Sequence, residues 1–492
     1  MSNVDKTTVR NEVSRIKADF EQLCASGKIT TEIKFLMNSM FMIMELMLSI
    51  FLEKSTKKNN KNSSIPSSQT DKDESALKPV QGSNGKGKTE NPLTANNTRT
   101  IETVTTIEVY NCDRCGEDLN ATASTESERR TKIDIVFEKV VEHVDVQIKQ
   151  CPSCDSTVKA SFPAGLHGPL QYGDGLKAFV INLLVCQMVA LNRVQKLVKS
   201  MMDVTLAEAS LLKFVWRLHQ ALEEWEVSAK EALLKMPAMN VDETSLRVDK
   251  KNHWVHVYSA GDITLKCLDR GRGIKAIDTI DIVPRYGGVI IHDCWASYFS
   301  YRHCGHGLCG SHLMRELTFV VESNGYVWAK NMKRLLKETC AKVSKNEQKK
   351  LTDKDYANLQ KRFRNIITRG EKELPPVPPK PSGKRGRIAK SEAHNLWERM
   401  SENEQSVLLF AKNSHVSFTN NRAERDLRMA KVKQKVSGCF RTVRYAQAYC
   451  RISSYLQTMA NKGYNPLIAI QMALAGKIND VGCPLCQTSC RL

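Results

Sequence analysis

The chain is 492 residues long and carries 73 Lys and Arg against 53 Asp and Glu, a formal net charge of +20. That length allows about three domains and a large core. The composition is that of a soluble globular protein, and the charge points to a polyanionic partner, with nucleic acid ahead of a ribosomal or membrane surface. The start, MSNVDKTTVR, lacks a signal peptide's apolar core, which excludes reading the 16 cysteines as a secreted disulfide framework; their Cys-x-x-Cys pairs point to metal in a reducing cytosol.

Residues 1–53 have a helical pattern. Phe35 to Leu52 is apolar and Met-rich, broken by Asn38, Ser39, Glu45 and Ser49. It is slightly short of the roughly 20 apolar residues a bilayer requires and contains a carboxylate, so it reads as an oligomerisation or packing helix and not a membrane span. Residues 54–105 are rich in Lys, Asn, Ser, Gly and Thr with no aromatic residue, the composition of a flexible basic linker.

Cys112-x-x-Cys115 and Cys151-x-x-Cys154 follow, with 35 residues between the pairs. Ile133, Ile135 and Phe137, then Val144, Val146 and Ile148, alternate as strands do. Two strands between two Cys pairs predict a zinc ribbon over 106–165, in which four thiolates close a structural Zn²⁺ site. Residues 166–236 are helical, and a short break near Met201–Thr205 allows a helix-turn-helix or a plain helical hairpin.

The period then switches. Met239 to Thr244 opens a strand ending near Asp242, HWVHVYSAG and ITLKCLD continue as strands with DKKN as a turn, Ile274 to Ile282 is helical, and GGVIIHD is a buried strand ending on Asp293. This order predicts a mixed sheet with packed helices, on which neighbouring strands bring Asp242 and Asp293 to one edge. Further on, Asn420 to Arg451 holds nine Lys or Arg and two acids. A helix starting at Asn420 or Asn421, with that side chain as its cap, puts Glu424, Arg428, Lys431 and Lys435 on one face and Leu427 on a neighbouring stripe that can face a core. Two aspartates and a glutamate are oxygen ligands suited to Mg²⁺ or Mn²⁺ and not to zinc. Two such ions activate a water or a 3′-hydroxyl and stabilise the leaving oxygen of a phosphodiester.

The stretches NVDETSLRVDKKNHWVHVYS, IIHDCWASYF, HGLCGSHLMREL and NNRAERDLRMAKVKQKVSGCF resemble transposases of the insertion sequence 66 family, DDE recombinases with an RNase H-like core, over roughly residues 55–475. The resemblance implies a metal-binding triad of Asp242, Asp293 and Glu424, a Lys431 near transposon-end phosphates, and a helical region inserted between Asp293 and Glu424. It makes accessory proteins of the element plausible partners. The expected architecture is multidomain α+β: an N-terminal helix, a zinc ribbon, a helical DNA-binding module, and a catalytic domain over 237–475 interrupted by an insertion at about 310–412. Within that insertion KELPPVPPKPSGKRGRIAK is a Pro-rich basic loop, and Cys309-x-x-His312 is a candidate second zinc site. The tail, 476–492, adds Cys483, Cys486 and Cys490 without an assignable role.

The expected function is DNA transposition by cytoplasmic, nucleoid-associated protein, with no membrane: binding of element ends and target DNA as a homo-oligomer, Mg²⁺-dependent cleavage and strand transfer, and Arg425, Arg428, Lys431 and Lys435 on phosphates. The alternatives are a non-catalytic zinc-dependent DNA-binding protein or repressor, and a nuclease on the same fold.

Overall fold

The structure, a computed structural model, describes residues 6–27, 29–56, 58, 59, 61–63, 104–133, 138–166, 168–377 and 390–478. Most of the expected linker, Ile135 and Phe137 of the expected ribbon strand, most of the Pro-rich loop and the tail cysteines lie outside these residues. The chain is mixed α+β and divides into two units, Met1–Lys86 with Glu226–Ser454, and Gly87–Trp225 with Tyr455–Leu492.

Helices α1 (Lys6–Ala25) and α2 (Thr31–Ser55) form a hairpin. Phe20 meets Phe41 at 5.6 Å between ring centroids, and Lys17 pairs with Glu45 at 2.9 Å. Among the described residues α2 is the one helix long and apolar enough to cross a membrane. Its last turns, with Ser49, Leu52 and Glu53, are buried, while Phe35, Leu36, Met47 and Phe51 are exposed.

In the second unit, β1 (Ile148–Gln150) and β2 (Thr157–Lys159) are antiparallel. The strand expected over Val144–Ile148 thus begins only at its last residue. The reason is local: the Cys151–Cys154 turn is itself the hairpin turn, and pairing radiates from it. Helices α3 (Asp174–Ile181), α4 (Leu191–Met202) and α5 (Glu208–Ala221) follow. The break between α4 and α5 is made by Asp203 in the left-handed region (φ 50°), a conformation Asp tolerates better than most residues. Val194, Val198, Leu211 and Leu218 are fully buried along these two helices.

Helix α6 (Glu223–Leu234) leads to the sheet, built from β3 (Ala238–Val248), β4 (Lys251–Ala260), β5 (Ile263–Asp269), β6 (Val289–His292) and β7 (Gly305–Leu308), with α7 (Ile274–Ile280) before β6. The strand order is β5-β4-β3-β6-β7. β3, β4 and β5 are antiparallel, whereas β6 joins β3, and β7 joins β6, in parallel. The predicted turn is the pair Asp249-Lys250, both at positive φ (48° and 59°), which matches the twist of a two-residue hairpin. β7, Gly-His-Gly-Leu, gives no strand signal in sequence because its glycines answer to packing: a Cβ on Gly307 would lie 2.9 Å from the Val416 side chain.

Between β7 and the basic helix lie α8 (Gly310–Asn324), α9 (Val327–Lys345), α10 (Asp353–Glu373), α11 (Glu392–Glu402) and α12 (Glu404–Lys412). They enclose a core of Leu313, Leu317, Trp328, Leu336, Phe363 and Met400 that continues onto Ile291 and Leu308 of the sheet. After the insertion come α13 (Asn421–Ser437), α14 (Val443–Asn461) and α15 (Pro466–Leu474), the last helix among the described residues. α13 lies across β3 and β4.

Candidate catalytic site

Asp242 sits within an eleven-residue strand, not at the end of a short one. What ends there is the parallel pairing: β3 matches β6 only through Asn240↔Ile291. The same register continued sets Asp242 across from Asp293, just past β6. Beyond Asn240 β3 pairs no further with β6, so neither carboxylate is part of the parallel ladder. Asp242 Oδ1 accepts the Glu243 N–H at 2.8 Å, and Asp293 Oδ1 accepts the Trp295 N–H at 3.1 Å. Cys294 between them has φ 73°, a left-handed conformation that a non-glycine residue holds at a cost and that turns the chain sharply after Asp293.

Glu424 arrives from the other side of the insertion. Alternation along β3 puts Asn240 and Asp242 on one face, and Asn420 binds that face. Its Nδ2 donates to Val241 O at 2.8 Å, and its Oδ1 accepts from Asn240 Nδ2 at 2.9 Å. The side chain therefore does not cap α13, contrary to the sequence expectation, because it is fully used and buried against the sheet. Glu424 follows one helical turn later. Burial first, then the charges of Glu243, Asp293 and Glu424, raises the Asp242 carboxyl to about 8. These carboxylates thus share one electrostatic space, and a divalent cation held among them would favour the ionised form of Asp242. An all-oxygen donor set of this kind fits Mg²⁺ or Mn²⁺.

Glu424 has other neighbours. Its Oε1 is 3.6 Å from His312 Nδ1 and its Oε2 is 3.8 Å from Arg315. Cys309, His312 and Glu424 offer ligand atoms within 4.8 Å of one another. Burial lowers His312, but its hydrogen bond to Cys309 and the charges of Cys309 and Glu424 outweigh that and raise it to about 8. The neighbouring His303, Cys304 and His306 are engaged elsewhere, with Val283 O, Tyr301 O and Tyr301 O respectively.

Sequence reasoning missed the layer beneath. Glu243, pointing to the opposite face from Asp242, is buried and accepts from Arg272 Nε at 2.6 Å and from the Tyr298 hydroxyl at 2.7 Å. The Arg272 guanidinium lies 3.4 Å from the Trp295 ring centroid, so the turn that carries Asp293 is held from behind. Asp426 is likewise buried, accepting the Ser259 and Thr264 hydroxyls at 2.7 and 2.9 Å, and anchors α13 to β4 and β5. The one signal for either was an acid on a stripe otherwise filled by Ala423, Leu427 and Ala430.

The four predicted cations divide. Arg425, Arg428 and Lys435 are exposed. Lys431 is half-buried, and its Nζ donates to Ser245 O at 2.9 Å and Ser245 Oγ at 3.0 Å. Leu427 is buried, as its stripe requires.

The ribbon cysteines form two matching turns. Cys112 N–H bonds Glu117 O and Gly116 N–H bonds Cys112 O, and Cys151 N–H bonds Ser156 O while Asp155 N–H bonds Cys151 O, all at 2.9 Å. Backbone N–H groups of Arg114 and Cys115 lower the Cys112 thiol, and the Ser156 hydroxyl and N–H lower that of Cys154. Each pair fits a thiolate ligand of zinc. The two pairs are not gathered within one ion's reach: among the described residues the single cluster of that kind is Cys309, His312 and Glu424.

The fold and site thus define an α+β protein with carboxylates converging where parallel pairing ends, beneath a strongly basic helix. The family model for IS66 transposases matches residues 169–448, more than half of the chain, and the chain belongs to the IS66 transposase family. This agrees with the resemblance read from its sequence. No curated protein matches it. Family membership implies DNA binding and a divalent-metal requirement.

Proposed function

We propose that the protein is a DDE transposase that binds the ends of an insertion sequence, frees 3′-hydroxyls by hydrolysis and joins them to target DNA. The observation that carries the reading is the convergence of Asp242, Asp293 and Glu424 from β3, the end of β6 and the first turn of α13, with Asp242 responding to the charge of the other two. The sheet order supports an RNase H-like core. In this reading Asp242 and Asp293 hold Mg²⁺ or Mn²⁺ and Glu424 completes the site. The bound ions supply charge neutralisation and activation of the attacking oxygen. The chain's own part is positioning: Asn420 fixes Glu424, the Glu243–Arg272–Trp295 contacts fix Asp293, and Arg425, Arg428 and Lys435 hold phosphates. A structural Zn²⁺ would draw the Cys112–Cys115 and Cys151–Cys154 turns together onto one ion, and the α4–α5 hairpin would read element ends. The protein would act in the cytoplasm, on the nucleoid, as an oligomer.

The test is strand transfer in vitro with labelled element ends, target plasmid and Mg²⁺, beside Asp293→Asn. Joined product from the wild type alone, with end binding retained by the variant, is the expected result. A fully active Asp293→Asn protein would overturn the triad, and cleavage without joining would assign a nuclease.

A further inference from the structure

Beside the proposed catalytic acids, the donor set changes from oxygen to sulfur and nitrogen. Cys309 precedes α8 and His312 lies in its first turn, so the i, i+3 spacing sets both on one side. Cys309 is 1% exposed, a depth at which a thiol is inert unless something uses it. Its Sγ accepts the Asn420 N–H at 3.1 Å, the kind of outer hydrogen bond that stabilises a metal-bound thiolate. His312 Nδ1 and Glu424 Oε1 are buried and have no hydrogen-bond partner in the protein, although they face each other at 3.6 Å. Two buried polar atoms that meet by charge alone at 3.6 Å, with no hydrogen bond to either, leave room for a ligand beside the buried sulfur that satisfies both. Thiolate, imidazole and carboxylate are the ligand types of zinc, and three protein ligands with one open position is its non-structural form.

We infer that Cys309, His312 and Glu424 form a binding site for a thiolate-preferring divalent ion such as Zn²⁺, distinct in chemistry from the all-oxygen Mg²⁺ site and sharing one residue with it. That sharing rests on the proposed role of Glu424 in catalysis; the site itself does not. Arg315, 3.8 Å from Glu424 Oε2, leaves Oε1 as the oxygen turned to the new ion.

Full-length protein, stripped of metal and kept reduced, is titrated with Co²⁺, whose thiolate charge-transfer absorption reports metal–sulfur bonds. Wild type is expected to take up one more equivalent than Cys309→Ser or His312→Gln, and to release it to Zn²⁺ but not to millimolar Mg²⁺. Cys112→Ser and Asp293→Asn are expected to retain that equivalent, so its presence is read independently of strand transfer. Equal uptake by the wild type and a folded His312→Gln variant overturns the site, and so does displacement by Mg²⁺. Because His312 is less buried than Cys309, its variant keeps the test valid if Cys309→Ser fails to fold.

Discussion

Asn420 places the third carboxylate by giving up the local role its position suggests. Its amide joins Asn240 and Val241 on β3, two residues or fewer from Asp242, and its backbone N–H meets Cys309. Asn420→Ala orphans two buried groups at roughly 1–3 kcal/mol each. The expected outcome is a lower unfolding midpoint in urea and a loss of strand transfer larger than the stability change explains; an unchanged midpoint would show that the amide bonds are not holding α13. The basic residues call for a different experiment. Arg425 and Arg428 are exposed, so replacing either by Ala should lower the slope of log K against log salt for DNA binding by about 0.9. Lys431 is committed to Ser245, and burial already lowers its ammonium. Lys431→Ala should leave the salt slope nearly unchanged and reduce stability or joining instead.

At the scale of elements, two helices are capped by acids remote in sequence. Glu373, the last residue of α10, accepts the Val327 and Trp328 N–H groups of α9. Glu53, near the end of α2, accepts those of Glu392 and Ala393 at 2.6 and 2.9 Å and so completes α11, where a helix's free N–H groups and dipole favour an anion. Burial raises the Glu53 carboxyl, opposed by the N–H groups of Ala393 and Glu392 and reinforced by the Glu392 charge; Lys58 offsets Glu392 at 2.7 Å, and Asn324 donates to Glu53. A raised value means the docked state holds the proton more tightly. Docking of the α1–α2 hairpin should therefore be strongest below the ordinary carboxylate range and weaken as pH rises through the raised value. Amide exchange at Glu392 and Ala393, corrected for intrinsic rate, should show greater protection at pH 5 than at pH 7, and Glu53→Gln should flatten the difference. These contacts also mark where sequence reading stops. Helix α13 and strands β4 to β6 were legible, because each depends on period and on local turn chemistry, and the insertion was expected as one helical region; β3 runs well past the short strand expected to end near Asp242. β7, the Asn420 clamp, the Glu243–Arg272 pair and the Glu53 cap were not legible. Each of these is set by residues tens to hundreds of positions away, and no local pattern encodes them.

At the scale of the molecule, the proposed site has to tolerate more than a hundred residues between Asp293 and Glu424. A long insertion adds little closure entropy for each added residue, but it can shift whatever follows it. Here its two ends are tied together and to the sheet. Cys309 N–H bonds His292 O at 2.9 Å and Gly310 N–H bonds Phe418 O at 2.7 Å, while the Ser311 hydroxyl meets Asn421 Oδ1 at 3.3 Å. Helices α9 to α12, beyond this clasp and beyond the α8 residues that touch Glu424, can thus vary in length or sequence without displacing it. The clasp needs Gly310: a Cβ there would fall 2.3 Å from the Phe418 ring, closer than any contact can be. Gly310→Ala must push Phe418 and the chain to Asn420 outward, a strain of about 1–3 kcal/mol. Glu424 would move with it, and misplacement of about 1 Å in a positioned group costs roughly 100-fold in rate. The expected outcome is strand transfer reduced at least about tenfold while binding of element-end DNA is retained, since no exposed cation is touched. Full joining activity in Gly310→Ala would mean that Glu424 is held in place by α13 and its buried Asp426 alone, and that the insertion hangs from the core without governing it.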